Sequence, residues 1–245
     1  MNIVDLVIIV IVLLGAIGGY RKGFVGSLVG FFSSILGLVA ACNFYPQLAR
    51  FLNTRFELQG KMSAFFQEHL VLPQPVSQFR LGQLPLPDIS RYLDSVNLDA
   101  SLKFKLLSFV EKLQTSLALP LQTSMGDIVN QFLATALVSA LSFLIIWAAV
   151  SLLLQAFAHL YSAAIRNTFL GKFDRLGGMA AGAALAILTL TIFIGLVMPF
   201  LDLAGIAKPT LFSSSVKTIE EAKLVPYFYS LYNILFSKFI SLLPL

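Results

Sequence analysis

The 245-residue chain is 58% hydrophobic and 12% charged, with a mean hydropathy of +0.86 and a formal net charge of +5. A soluble domain carries roughly 25% charged residues, so the composition excludes an ordinary water-soluble globule and makes lipid the solvent for much of the chain. A single cysteine, Cys42, excludes an intrachain disulfide and a cysteine metal cluster, and no dense run of Lys and Arg is present to hold nucleic acid.

In chain order, four segments read as helices able to cross a bilayer core of about 30 Å, which takes roughly 20 apolar residues, the first of them short and carrying Asp5. They are 3–19 (IVDLVIIVIVLLGAIGG), 23–44, 132–154 (FLATALVSALSFLIIWAAVSLLL) and 176–201 (LGGMAAGAALAILTLTIFIGLVMPFL). Each is expected to be helical, because lipid offers no partner for unpaired backbone groups. The fold class read from this is all-α: a polytopic membrane protein with two helical hairpins, 1–44 and 132–201, an extracytoplasmic helical insert, 45–131, and an extracytoplasmic tail, 202–245.

The first segment does not read as a signal peptide. Its cations, Arg21 and Lys22, follow the apolar run instead of preceding it. They occupy a very short link to the second segment. The link between the third and fourth segments holds Arg166, Lys172 and Arg175 against Asp174. Positive links stay in the cytoplasm, so the N-terminus, insert and tail are expected outside. The insert mixes eight cations with seven acids, which gives it no strong retention signal.

Glycine and serine recur through the second segment. On a helical wheel Gly23, Gly26, Gly30, Ser33, Ser34, Gly37 and Ala41 fall within about 100° of one another. The fourth segment opens with Gly178, Ala181 and Gly182 on one face. Small residues let helices approach closely in lipid, where dispersion and not hydrophobicity drives association. These stripes are read as packing faces, with the second helix against the fourth; a substrate path along a glycine-lined helix is the alternative. A basic turn precedes a glycine-rich helix in both YRKGFVGSLVG and FDRLGGMAAG, a loose echo between the two hairpins.

The insert contains three amphipathic pieces: QLARFLNTRF, KMSAFFQEHL and SLKFKLLSFVEKLQTSL. In the last, Leu102, Leu106, Phe109, Val110, Leu113 and Leu117 recur at helical spacing. Pro73, Pro75, Pro85 and Pro87 mark a loop between the pieces, and Asp88 stands where it would cap a short helix. The insert is read as a helical cap on the membrane surface, or as a platform for a partner. The tail run VPYFYSLYNILFSKFISLLPL, bracketed by Pro226 and Pro244, is read as an interfacial helix, with a fifth span as the alternative.

Three stretches, NIVDLVIIVIVLL, GGYRKGFVGSLVGF and KFDRLGGMAAGAALA, stand in the order in which they occur in the colicin V production protein (CvpA-like) family, and both hairpins resemble that family. The resemblance does not extend to the insert or the tail. It implies a bacterial inner-membrane protein of four spans, with a genetic role in production of a secreted peptide toxin and in envelope homeostasis. Some relatives carry an extracytoplasmic serine protease after the last helix; the tail of this chain contains no histidine, so none is expected here.

Among individual residues, Asp5 is the ionisable group of the first segment. It is read as stabilised by the helix dipole, with a proton or ion role or a polar contact to a neighbouring helix as alternatives. Arg21 and Lys22 are read as topology anchors, with lipid headgroup or partner binding as the alternative. Asp174 is expected to cap the last helix and to pair with Arg21 across the two basic turns. Cys42 reads as a small apolar residue, and His159 as a headgroup contact. No nucleophile–base pair, phosphate loop or metal-ligand pattern is present in the sequence, so neither an enzyme nor a cofactor is expected. The expected partners are the bilayer, a membrane or envelope protein, and further copies of the chain; nucleic acid is not among them. The function read from all this is a membrane scaffold, with a small oligomeric transporter or pore as the alternative.

Overall fold

A computed structural model describes residues 2–71, 100–115, 124–162, 171–206, 208–209, 218–219 and 221–240. The elements are α1 (Ile3–Phe56), α2 (Leu58–His69), β1 (Leu70–Val71), α3 (Ala100–Thr115), α4 (Met125–Ser162), α5 (Gly171–Ile206), β2 (Lys208–Pro209) and α6 (Val225–Ile240). Among the described residues the architecture is predominantly helical, with an antiparallel pairing in which Leu70 faces Pro209 and Val71 faces Lys208. Among the described residues, three helices are long and apolar enough to cross a membrane: α1, residues 126–157 of α4 and residues 174–198 of α5. The protein is a helical membrane protein.

The first two expected spans run on into one another as α1. A straight helix of its 54 residues would be about 80 Å long, far more than a bilayer. It is not straight. Gly23 has φ 78° and ψ 174°, outside helical space. The Ser27 hydroxyl donates to the Gly19 carbonyl at 3.3 Å, although eight residues of continuous helix would separate them by about 12 Å. The chain therefore doubles back at Gly23, and α1 is a hairpin of two arms, 3–22 and 24–56. The basic residues Arg21 and Lys22 lie in the last turn of the first arm, and glycine alone absorbs the reversal.

The helices also run beyond the apolar segments. The second arm continues through Pro46 to Phe56. There Glu57 adopts φ 52°, and Asn53 closes the end: its carbonyl accepts from the Glu57 amide at 2.8 Å and its side chain from the Gln59 amide at 3.2 Å. α4 begins at Met125 and not at 132, because Ser124 caps it. Ser124 Oγ accepts the Asp127 amide at 3.1 Å while the Asp127 carboxylate accepts the Ser124 amide at 3.2 Å, a reciprocal capping box.

The described residues fall into two compact units. The first comprises 1–48, 141–195 and 218–243, and buries Ile8, Ala41, Tyr45, Phe143, Trp147, Ala186, Leu190 and Ile192. The second comprises the described residues of 49–140 and 196–217. Its core includes Leu106, Val110, Ile128, Val129, Phe132 and Leu133. Here α3 turns Leu106 and Val110 inward, and Phe109 meets Phe132 edge to face at 5.4 Å. Gln67 of α2 donates to Asp127 at 3.3 Å. The proline-marked loop of residues 73–87, Asp88, Leu117, Arg166 and Pro244 lie outside the described residues, as do the side chains of Leu102, Leu113, His159 and Lys172.

Candidate functional site at a glycine crossing

A backbone-to-backbone approach in the first unit joins the first arm of α1 to α5. Gly15 and Gly19 stand one helical turn apart, as do Gly178 and Gly182, and the two pairs interlock. A Cβ on Gly19 would overlap the Gly178 carbonyl oxygen and come within 2.9 Å of the Gly182 Cα. One on Gly182 would lie 2.8 Å from the Gly19 Cα, and one on Gly15 would lie 2.6 Å from the Ala186 Cβ and 2.9 Å from the Gly182 oxygen. These neighbours are backbone or short side chain, so they cannot swing aside. Contact of this kind is what small residues at four-residue spacing permit in lipid.

The expected partner of α5 was the stripe of the second arm, and the structure divides that stripe differently. Gly30 makes only ordinary contact with α5, through Leu185 Cδ2 at 3.6 Å from a notional Cβ. Gly26 is exposed and faces only its own neighbour Lys22. Ser33, Ser34 and Gly37 turn to α4 instead. A Cβ on Gly37 would overlap Ser151 Oγ and sit 2.9 Å from the Trp147 carbonyl. The Trp147 indole donates to the Ser34 carbonyl at 3.1 Å and to its hydroxyl at 3.2 Å, and Ser151 Oγ donates to the Ser33 carbonyl at 3.4 Å. Tyr45 extends the seam against Phe143, ring centroids 6.5 Å apart. The GxxxG step of the first arm, Gly15 to Gly19, was as visible in the sequence as that of Gly26 to Gly30. The sequence does not rank the two steps, because either one presents the same small-residue spacing to a neighbour. Trp147 carried no periodic signal that singled it out.

At the reversal, Asp174 approaches from the first turn of α5. Its Oδ1 accepts the Phe24 amide at 2.9 Å, so it caps the start of the second arm from another helix. A Cβ on Gly23 would collide with Asp174 Oδ2. Asp174 thus serves a backbone amide and forms no ion pair with Arg21. A carboxylate suits this place because the first amides of a helix have no partner within it. Arg175 stands over the Tyr20 ring at 5.9 Å. Arg21 and Lys22 are exposed.

Asp5, at the other end of the first arm, is 1% exposed. Its Oδ2 accepts the Asn2 amide at 3.1 Å, and its Oδ1 accepts the Leu224 amide at 2.9 Å. Asn2 caps the helix through Ile3 and donates from Nδ2 to the Thr218 carbonyl at 2.5 Å. Asp5 is therefore a polar contact, though to the tail and not to a neighbouring span. Gly195 of α5 lies against the Tyr232 ring of α6, leaving no room for a Cβ.

Among the described residues, no group of three His, Cys, Asp or Glu is placed to hold a metal ion. His69 stacks on Phe65 at 4.3 Å, with Nδ1 2.9 Å from the Phe65 carbonyl oxygen. Cys42 is half-buried. The crossing, the serine–tryptophan seam and the two carboxylate caps hold helices in register.

A family model described as colicin V production protein matches residues 4–73 and 108–232. No curated protein and no solved structure matches the chain.

Proposed function

The chain belongs to the colicin V production protein family, and from that premise we propose that it is a multi-pass protein of the bacterial inner membrane that acts as a non-enzymatic helical scaffold. In this role it supports production or export of a colicin V type toxin and envelope homeostasis. The observation that carries the reading is the coincidence of the family match with the packing. The matched residues take in the whole glycine crossing, the seam of Ser33, Ser34, Trp147 and Ser151, and both capping carboxylates. The reversal at Gly23 supports four crossings: the two arms of α1, then α4 and α5. Arg21, Lys22 and Arg175 are assigned to the cytoplasm, and the N-terminus, the 45–131 insert and the tail to the other side. The partners are the bilayer, an envelope protein held by the insert, and further copies of the chain.

The test is genetic. In a host carrying a colicin V type toxin determinant, loss of the gene lowers secreted toxin activity and the wild-type gene restores it. A Gly19→Leu, Gly182→Leu double variant that reaches the membrane fails to restore it. Undiminished secretion without the protein would remove the role. Solute flux through the purified protein in liposomes would replace the scaffold with a pore.

A further inference from the structure

α6 is an apolar helix with one face that its packing does not use. It buries Val225 and Tyr232 and leaves Tyr227 74%, Ile234 71% and Leu235 48% exposed. On the wheel these three lie to one side of the packing face, and the exposed Asn233 lies at least about 100° away from each of them. The helix has 16 residues, fewer than the roughly 20 that cross a bilayer.

Its depth follows from the glycine crossing. Along the crossing, Gly23 meets Asp174 and Gly178, Gly19 meets Gly178 and Gly182, and Gly15 meets Gly182 and Ala186. The register advances four residues on each helix in opposite directions. Continued at the same rise per residue, it brings Gly195 to the level of Asp5. Asp5 holds the amide of Leu224, just before α6, and Gly195 holds Tyr232, eight residues further on. Those eight residues cover about 12 Å, yet both ends sit at one depth.

We infer that α6 lies flat in the membrane surface beside the end of the bundle, clamped by Asp5 and Gly195, with Tyr227, Ile234 and Leu235 dipping into lipid just below the headgroups and Asn233 turned to water. The three faces then have three neighbours: protein, lipid and solvent. Tyrosine suits this depth, with its ring in the apolar layer and its hydroxyl among headgroups. The bilayer is the occupant because both anchors of α6, Asp5 and Gly195, stand at the end of the spanning helices, the level at which lipid gives way to water. The assignment rests on the membrane placement proposed above.

Spin labels test it in the full-length Cys42→Ala protein, reconstituted in phosphatidylcholine–phosphatidylglycerol vesicles. Single cysteines replace Tyr227, Ile234, Asn233 and, as a control, the exposed Val39 of the second arm. Labels at 227 and 234 should lie at one shallow depth and relax with oxygen more than with a water-soluble nickel chelate, and the label at 233 should do the reverse. A label at 234 about 10 Å deeper than one at 227, the rise of seven helical residues, would mean a fifth span and overturn the proposal. So would nickel-accessible labels at both sites while Val39 stays in lipid. A water-exposed label at Val39 would instead overturn the membrane placement itself. Adding Asp5→Ala should release the clamp and remove the common depth of 227 and 234; an unchanged depth would overturn the role given to Asp5.

Discussion

Gly19 and Gly18 are adjacent in sequence and have opposite roles. A Cβ at Gly18 meets nothing within 4 Å, whereas one at Gly19 meets backbone. Gly18→Ala should therefore leave thermal unfolding in detergent unchanged or raise the midpoint, since alanine is the better helix former by about 1 kcal/mol. Gly19→Leu should lower stability by at least about 1–3 kcal/mol, the scale of overpacking, and Gly182→Leu should do the same. Because the two glycines share one contact, the double variant should cost less than the sum of the singles. Gly23→Ala faces two penalties, the positive φ of 78° and the Asp174 carboxylate. The conformational part alone is about 1–3 kcal/mol, because φ 78° with ψ 174° lies in a region that glycine essentially alone adopts, and circular dichroism melts in detergent measure it. No inspection of composition separates these glycines. What separates them is which backbone lies opposite.

At the scale of elements, most helices are legible and their partners are not. The apolar runs announce α1, α4 and α5, and the spacing of Leu106, Phe109 and Val110 announces α3. The helix ends escape a hydropathy reading because side chains and not greasiness decide them. Ser124 extends α4 seven residues ahead of the expected start at 132. Ser124→Ala should cost about 1 kcal/mol and show as faster amide exchange confined to the first turn of α4. The Trp147 seam is likewise a matter of pairing. Trp147→Phe keeps the ring and removes the indole donor, and should cost about 0.6 kcal/mol, the usual worth of an interhelical hydrogen bond in a membrane. Thermal unfolding in detergent reads that difference against Ser34→Ala.

For the whole molecule, the deciding feature is the reversal at Gly23. Without it, α1 would be one rod and the charges at Arg21 and Lys22 would lie mid-helix. With it, those charges stand at an end, where a positive cluster sets orientation. A membrane-impermeant maleimide should label Gly60→Cys in intact spheroplasts and Arg21→Cys only after permeabilisation, both in a Cys42→Ala background. The opposite pattern would invert the orientation. The expected ion pair of Arg21 with Asp174 fails for a reason visible only at this scale: the hairpin presents Asp174 with the Phe24 amide, which has no partner within its own helix, and the carboxylate accepts it at 2.9 Å while Arg21 stays exposed.

The sequence by itself determined the solvent, the helical class, the position of the apolar runs and the family resemblance. Each of these depends on composition or on local order along the chain, and in lipid a continuous apolar run of about 20 residues satisfies its own backbone as a helix, whereas a closed barrel needs alternating strands. Only the tertiary structure decided which small residues are contacts, because a missing side chain matters only where another backbone arrives. It also decided what the two buried or capping carboxylates serve. Asp5 and Asp174 each satisfy an amide from a segment far away in the chain, Leu224 and Phe24 respectively. A sequence displays the acid, but the donor it answers is chosen by the fold.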